Sequence, residues 1–180
     1  ALVKRYFLLD AKAKALTGEY EFNFLITASD GTKYIFKAAS DEHSYEFFDS
    51  QVKIVQHLSK SEVAEKFFHY IPNHAGELMT ILEKNGRKYY LRLISFLEGV
   101  FWVNAQERPD ALHVDLGNVL GKMDKALQDF SHNAMHRYYV WDISNAADAN
   151  RKLQHIKDHE RRRIAGYFLH LLHGKKPDEL

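Results

Sequence analysis

Apolar positions along the chain change period four times, and each change marks a new kind of element. Residues 1–8 carry the spacing of a short helix. From Ala11 to Leu16, Ala and Lys alternate, as expected of a half-buried edge strand. Gly18-Glu19-Tyr20-Glu21 reads as a turn, and Phe22–Ser29, rich in aromatic and β-branched residues, as a strand. Asp30-Gly31 is a hairpin dipeptide, which pairs Lys33–Ala38 back onto it. The period then becomes helical over Asp41–Leu58, where Phe47, Gln51, Val55 and Leu58 share a face beside Phe48 and Val52. Leu78–Lys84 and Lys88–Phe96 are two further strands joined at Asn85-Gly86. This order predicts an α+β lobe with a five-stranded antiparallel sheet and one packed helix.

After Leu97-Glu98-Gly99, a candidate hinge, the pattern is helical. Asp110–Phe130 places Leu112, Leu116, Val119, Leu120, Met123 and Leu127 on one face. Ala149–His173 is expected to form a second long helix, apolar at Leu153, Ile156, Ile164, Phe168, Leu171 and Leu172. Arg137–Ile143 between them reads as a packed loop or short turn, and Trp102 and Trp141 as packing residues.

Composition narrows the function classes. The chain has 180 residues, of which 46% are apolar and 13% aromatic, enough for a buried core. Its 25 basic and 24 acidic residues set up no field that would steer it to nucleic acid or an anionic membrane. No apolar run approaches the roughly 20 residues of a membrane span. With no cysteine there is neither a disulfide framework nor a thiolate metal site, and a cytoplasmic location is expected. The start lacks a signal-peptide pattern, and the closing Asp-Glu-Leu follows Pro177, so it is read as coincidence rather than a retention tail.

Two polar residues stand among apolar ones. Lys37 shares a strand face with Ile35, and a buried ammonium needs a partner. A nucleotide phosphate would serve; the plainer alternative is a lysine reaching solvent at a sheet edge. Gln51 interrupts the apolar stripe of the following helix, where a buried amide must find hydrogen bonds. A strand lysine oriented by a helix side chain is how kinases hold phosphates; a Gln bonded to backbone is the plainer account. The eleven histidines include His132/His136 and His155/His159 at four-residue spacing, but no His-Glu-x-x-His pattern accompanies them. Arg161-Arg162-Arg163 with Lys175 and Lys176 reads as a solvated face.

The strings Leu16–Phe24, Tyr34–Lys37, Val55–Leu58, Tyr90–Gly99, Leu116–Leu127 and Tyr139–Asp142, in that order, resemble the aminoglycoside phosphotransferase and choline kinase superfamily. The hydroxylysine-kinase-like branch, which includes domains fused to class III aminotransferases, is the most similar. The resemblance implies a protein-kinase-like N-terminal lobe over 1–97. Residues 98–180 would be the hinge and first helices of the C-terminal lobe, ending before the catalytic loop. It implies ATP and Mg2+ as cofactors. Lys37 would contact the α- and β-phosphates, and the Gly18–Asn23 hairpin, Asn23 included, would lie over the triphosphate. The linker Ser95, Phe96, Leu97 would read adenine through its backbone, with Ile94 near the base. Gln51 stands where the family often has a glutamate for the lysine, and this departs from the pattern.

A second departure concerns the transfer step, which needs an Asp to accept the substrate proton and Asn and Asp ligands for magnesium. The family supplies His-x-Asp with Asn five residues on. His113-Val114-Asp115 has Leu120 in that place and lies in an amphipathic helix, so it does not qualify. The expectation is therefore an inactive N-terminal part of an ATP-dependent phosphotransferase acting on a small hydroxylated substrate, an amino alcohol by class. Its magnesium ligands would lie beyond Leu180. The alternative is a pseudokinase-like binding module, and an exposed apolar surface would favour a dimer of the fragment.

Overall fold

The computed structural model describes residues 1–139 and 141–172. Val140, the helix end expected at His173, and the Lys175–Lys176 pair with the closing Asp-Glu-Leu lie outside the described residues. The chain divides into two compact units, Ala1–Met135 and His136–Leu180.

The first unit opens with helix α1, Leu2–Phe7, which stops at Leu8 because that residue turns into the left-handed region (φ 56°). Strands β1 (Ala11–Leu16), β2 (Phe22–Ala28) and β3 (Lys33–Ser40) form an antiparallel meander. Helix α2, Tyr45–Leu58, starts four residues later than its periodicity suggested, since Ser44 caps it by accepting from the Phe47 amide. Strands β4 (Tyr70–Ile71), β5 (Thr80–Lys84) and β6 (Arg87–Ser95) complete a six-stranded sheet. The extra strand is β4, too short to show a period. The β5–β6 turn has positive φ at both Asn85 and Gly86, the geometry for which that dipeptide is suited.

Strand β6 is the centre of this unit. It pairs with β3 on one edge, and with β5 and then β4 on the other. Alternation along it serves two cores. Leu91 and Leu93 join Ile26, Phe36 and Phe7 on the face covered by α1. Tyr90 packs with Ala39 and Phe48, and Ile94 with Val52 and Tyr70, on the face covered by α2. Between Tyr90 and Ile94 on that second face stands Arg92, with no exposed surface at all. At the other end of the sheet β1 is a rim strand, exposed throughout, carrying Lys12 and Lys14.

Helix α3, Asp110–Leu127, returns to the same unit. His57 of α2 lies 2.8 Å from the Ala126 carbonyl and 3.1 Å from Asp129, and His132 lies 3.2 Å from Asp49. None of the α3 side chains is buried, and Leu116 and Leu120 of its apolar stripe stay exposed.

In the second unit the long helix expected from residue 149 is broken. A 3-10 stretch runs Ile143–His155, and helix α4 begins only at His159. Asp158 accepts from the Arg161 amide at 2.8 Å, an N-cap, while the Arg162 guanidinium holds the Ile156 carbonyl. His155 and His159 therefore flank a break instead of sharing a helical face. Trp141, expected to pack, is largely exposed. Among the described residues no helix is long and apolar enough to cross a membrane.

Candidate functional site

Under α2, one polar cluster interrupts the apolar side chains of β3 and β6. Antiparallel register brings Asn23, Lys37 and Arg92 side by side on β2, β3 and β6. Lys37 and Arg92 are direct cross-strand neighbours, an arrangement that repels unless a carboxylate is shared. Glu21, at the foot of β2, is that carboxylate. Its Oε1 lies 2.8 Å from Arg92 Nη2 and its Oε2 3.1 Å from Lys37 Nζ. Lys37 Nζ also donates to Asn23 Oδ1 at 2.9 Å. Arg92 Nη1 donates to Gln51 Oε1 at 2.7 Å, and its guanidinium lies over the Phe48 ring at 4.5 Å.

The β1–β2 turn is shaped to deliver Glu21. Asn23 Nδ2 donates to the Glu21 carbonyl, and Gly18 packs against the same two groups. A Cβ on Gly18 would collide with the Glu21 carbonyl, so the close approach requires glycine. Tyr20 meets His43 edge-on at 6.0 Å, and His43 in turn stacks on Phe47 of α2, pinning the turn to the start of that helix.

Burial alone would raise the Glu21 pKa, but the Arg92 guanidinium and then the Lys37 ammonium outweigh it, and the carboxyl titrates below its ordinary value. A carboxylate with a depressed folded pKa adds stability that is complete above the unfolded value of about 4.3 and is lost as pH falls through the folded one. The urea midpoint should therefore fall as pH drops from 7 to about 3. That fall should be smaller in Glu21→Gln; an identical pH profile in the two chains would mean the pair does not contribute.

Two cations share one carboxylate here, which leaves one positive charge in excess beside the Asn23 amide. Lys37 keeps 26% of its side-chain surface exposed, whereas Arg92 keeps none. Among the described residues Arg92 Nε meets no acceptor. An anion could thus be met by Lys37 and Asn23, while Arg92 stays behind them as a fixed buried charge.

Not every residue singled out from the sequence joins this cluster. Lys37 and Asn23 do. Gln51 is present but holds Arg92, and the carboxylate of Lys37 comes from Glu21, not from α2. Asp49, on the same helix as Gln51, pairs with Lys53 and His132. The Ser95 amide donates to the His69 carbonyl and its Oγ accepts from the His69 amide, so Ser95 ties down the sheet edge. Phe96 and Leu97 lie past the strand, with Lys33 above the Phe96 ring and 2.7 Å from Glu98. Ile94 is buried against α2. His113 sits in α3 with Nδ1 3.2 Å from the Pro109 carbonyl, which keeps His113-x-Asp115 on a helix instead of a loop. No three His, Asp or Glu side chains converge into a metal-holding group among the described residues.

Sequence reasoning missed Glu21 and Arg92. Glu21 was absorbed into a turn. Arg92 had a visible signal, a lone charge inside the run Tyr90-Leu91-Arg92-Leu93-Ile94, which a buried strand tolerates only with a partner.

The model of a family described as "Phosphotransferase enzyme family" matches residues 12–177. Among solved structures, an amicoumacin kinase in complex with AMP-PNP, Ca2+ and Ami is similar at a TM-score of 0.63 and 15% identity, over 91% of this chain and 49% of that one. A microcompartment-associated aminopropanol kinase is similar at a TM-score of 0.62 and 13% identity, over 98% of this chain and 58% of that one. The chain therefore spans about half the length of these relatives. A comparison with curated protein sequences finds no match.

Proposed function

The chain belongs to the phosphotransferase enzyme family, and on that premise we propose that it is the nucleotide-binding part of an ATP-dependent kinase. The acceptor would be the hydroxyl of a small molecule, an amino alcohol by class. The observation that carries this reading is the Glu21–Lys37–Asn23–Arg92 cluster, partly exposed at Lys37 and one positive charge in excess, on the α2 side of the sheet. A polyphosphate neutralises such a cluster. The relatives support the choice of ligand and acceptor: one was solved with AMP-PNP and Ca2+, and the other is an aminopropanol kinase.

When bound, ATP supplies the phosphoryl group that is transferred. Lys37 and Asn23 hold its phosphates, and the Gly18 turn brings backbone close to them. Phe96 and Leu97 offer main-chain groups to the base, since Ser95 is engaged with His69. We place magnesium's protein ligands outside the described residues. The proton-accepting Asp belongs there too, because His113-x-Asp115 is helical. This chain by itself should therefore bind nucleotide without transferring phosphate. The scaffold alternative drew in part on Gln51 in place of a glutamate; Glu21 beside Lys37 supplies the carboxylate that Gln51 lacks.

Calorimetry with Mg–ATP tests the reading. Lys37→Ala removes one charge-assisted contact to the phosphates and should weaken binding by about ten- to a hundredfold. Equal affinity in both chains would remove Lys37 from the site. Lys37-dependent phosphorylation of an amino alcohol by this chain would overturn the proposed inactivity.

A further inference from the structure

We propose that Glu21, carried on the β1–β2 turn, is the positioning carboxylate of Lys37, with Arg92 as its buried anchor and Gln51 as the residue that holds Arg92. The inference rests on the reading of Lys37 as the phosphate-holding lysine. It goes beyond that reading by assigning a role to three residues and by changing which element aims the lysine.

Four observations carry it. Glu21 reaches both cations, at 2.8 Å and 3.1 Å, with its side chain only 13% exposed. Arg92 cannot turn away to water, being wholly buried and held by Gln51 and the Phe48 ring. Gln51, on the helix from which such a carboxylate might have come, has its side-chain oxygen engaged by Arg92. The Glu21 backbone is fixed by Gly18, Asn23 and the Tyr20–His43 contact. Lys37 is thereby aimed from the turn and not from α2, so turn and lysine move together. A phosphate that draws Lys37 away leaves Glu21 on Arg92, and the carboxylate is never without a cation.

The test follows the side-chain resonance of Lys37 in lysine-labelled protein, identified by its loss in Lys37→Arg. The groups facing Lys37 in this cluster are Glu21 and Asn23 of the β2 arm and Arg92 of β6; Gln51 of α2 stands behind Arg92. Glu21→Gln removes the negative one among them, so the Lys37 side-chain resonance should move from its place in the unaltered chain. Glu21→Asp should bring it most of the way back, and Gln51→Met should move it less than Glu21→Gln does. Where Glu21→Gln does not fold, Glu21→Gln with Arg92→Met is compared with Arg92→Met alone, so that the carboxylate is again the one charge that differs. An unchanged Lys37 resonance without Glu21, or a larger displacement in Gln51→Met, would overturn the proposal. The readout needs no nucleotide. Failure of Mg–ATP binding would therefore sink the proposed function while leaving this assignment standing, and the reverse can occur as well.

Discussion

Arg92→Ala should cost about 3–5 kcal/mol of folding stability, the range seen when one partner of a buried ion pair is removed. The substitution leaves Glu21 facing Lys37 alone, orphans the Gln51 amide and empties the space above Phe48. A domain of this size has only about 5–15 kcal/mol in all, so much of the chain should unfold in modest urea. Arg92→Met combined with Glu21→Gln should be far milder, because no charge is left buried alone and the volume is kept. Urea titrations followed by circular dichroism check both. If Arg92→Ala shifts the midpoint no more than an ordinary surface change, the cluster is not what ties β6 to α2 and the turn.

Phe48→Ala should cost a comparable amount, about 3–5 kcal/mol. Its ring is completely buried, 5.0 Å from Tyr90 and from Phe47 between ring centroids, and it carries the Arg92 guanidinium on its face. Two effects add here: the cavity left under α2, and loss of a cation–π contact worth about 2 kcal/mol when desolvated. Phe48→Leu separates them, since it fills most of the space without a π face. Equal midpoints for Phe48→Leu and the unaltered chain would show that the ring's charge distribution adds nothing, and the Phe48→Ala loss would then be cavity alone.

Much of the sheet was readable because its signals are local. Asp30-Gly31 and Asn85-Gly86 fix two hairpins, and the two-residue period of Tyr34–Ala38 and Tyr90–Ile94 fixes their faces. Lys37 was found for the same reason: alternation put it beside Ile35. The amphipathic period likewise located α2 and α3. What failed was whatever needs distant partners. Strand β4 is two residues paired to the far end of β6. Glu21 acquires meaning only when β6 brings Arg92 across from β3, so a residue that looked like turn chemistry became the centre of the cluster. Gln51 shows the limit most clearly. Its placement in an apolar stripe predicted a buried polar partner, which it has, but the choice between Lys37 and Arg92 is made by the lateral position of strands that no single segment encodes. The break before α4 was legible in principle, since Asp158 followed by Glu160 has the form of a helix start; the apolar spacing of Leu153 and Ile156 concealed it.

The β1 rim bears on how copies of the protein meet in a crowded solution. Among the described residues one edge of that strand has no neighbour in the sheet, so its N–H and C=O groups form a template onto which an extended segment could be laid. Charge at every second residue, Lys12 and Lys14, sets like against like when two such rims approach. The small Ala side chains between them offer little apolar surface to offset that repulsion. The alternation that first marked β1 as an edge strand thus also guards against uncontrolled assembly, at the end of the sheet farthest from Arg92 and its partners.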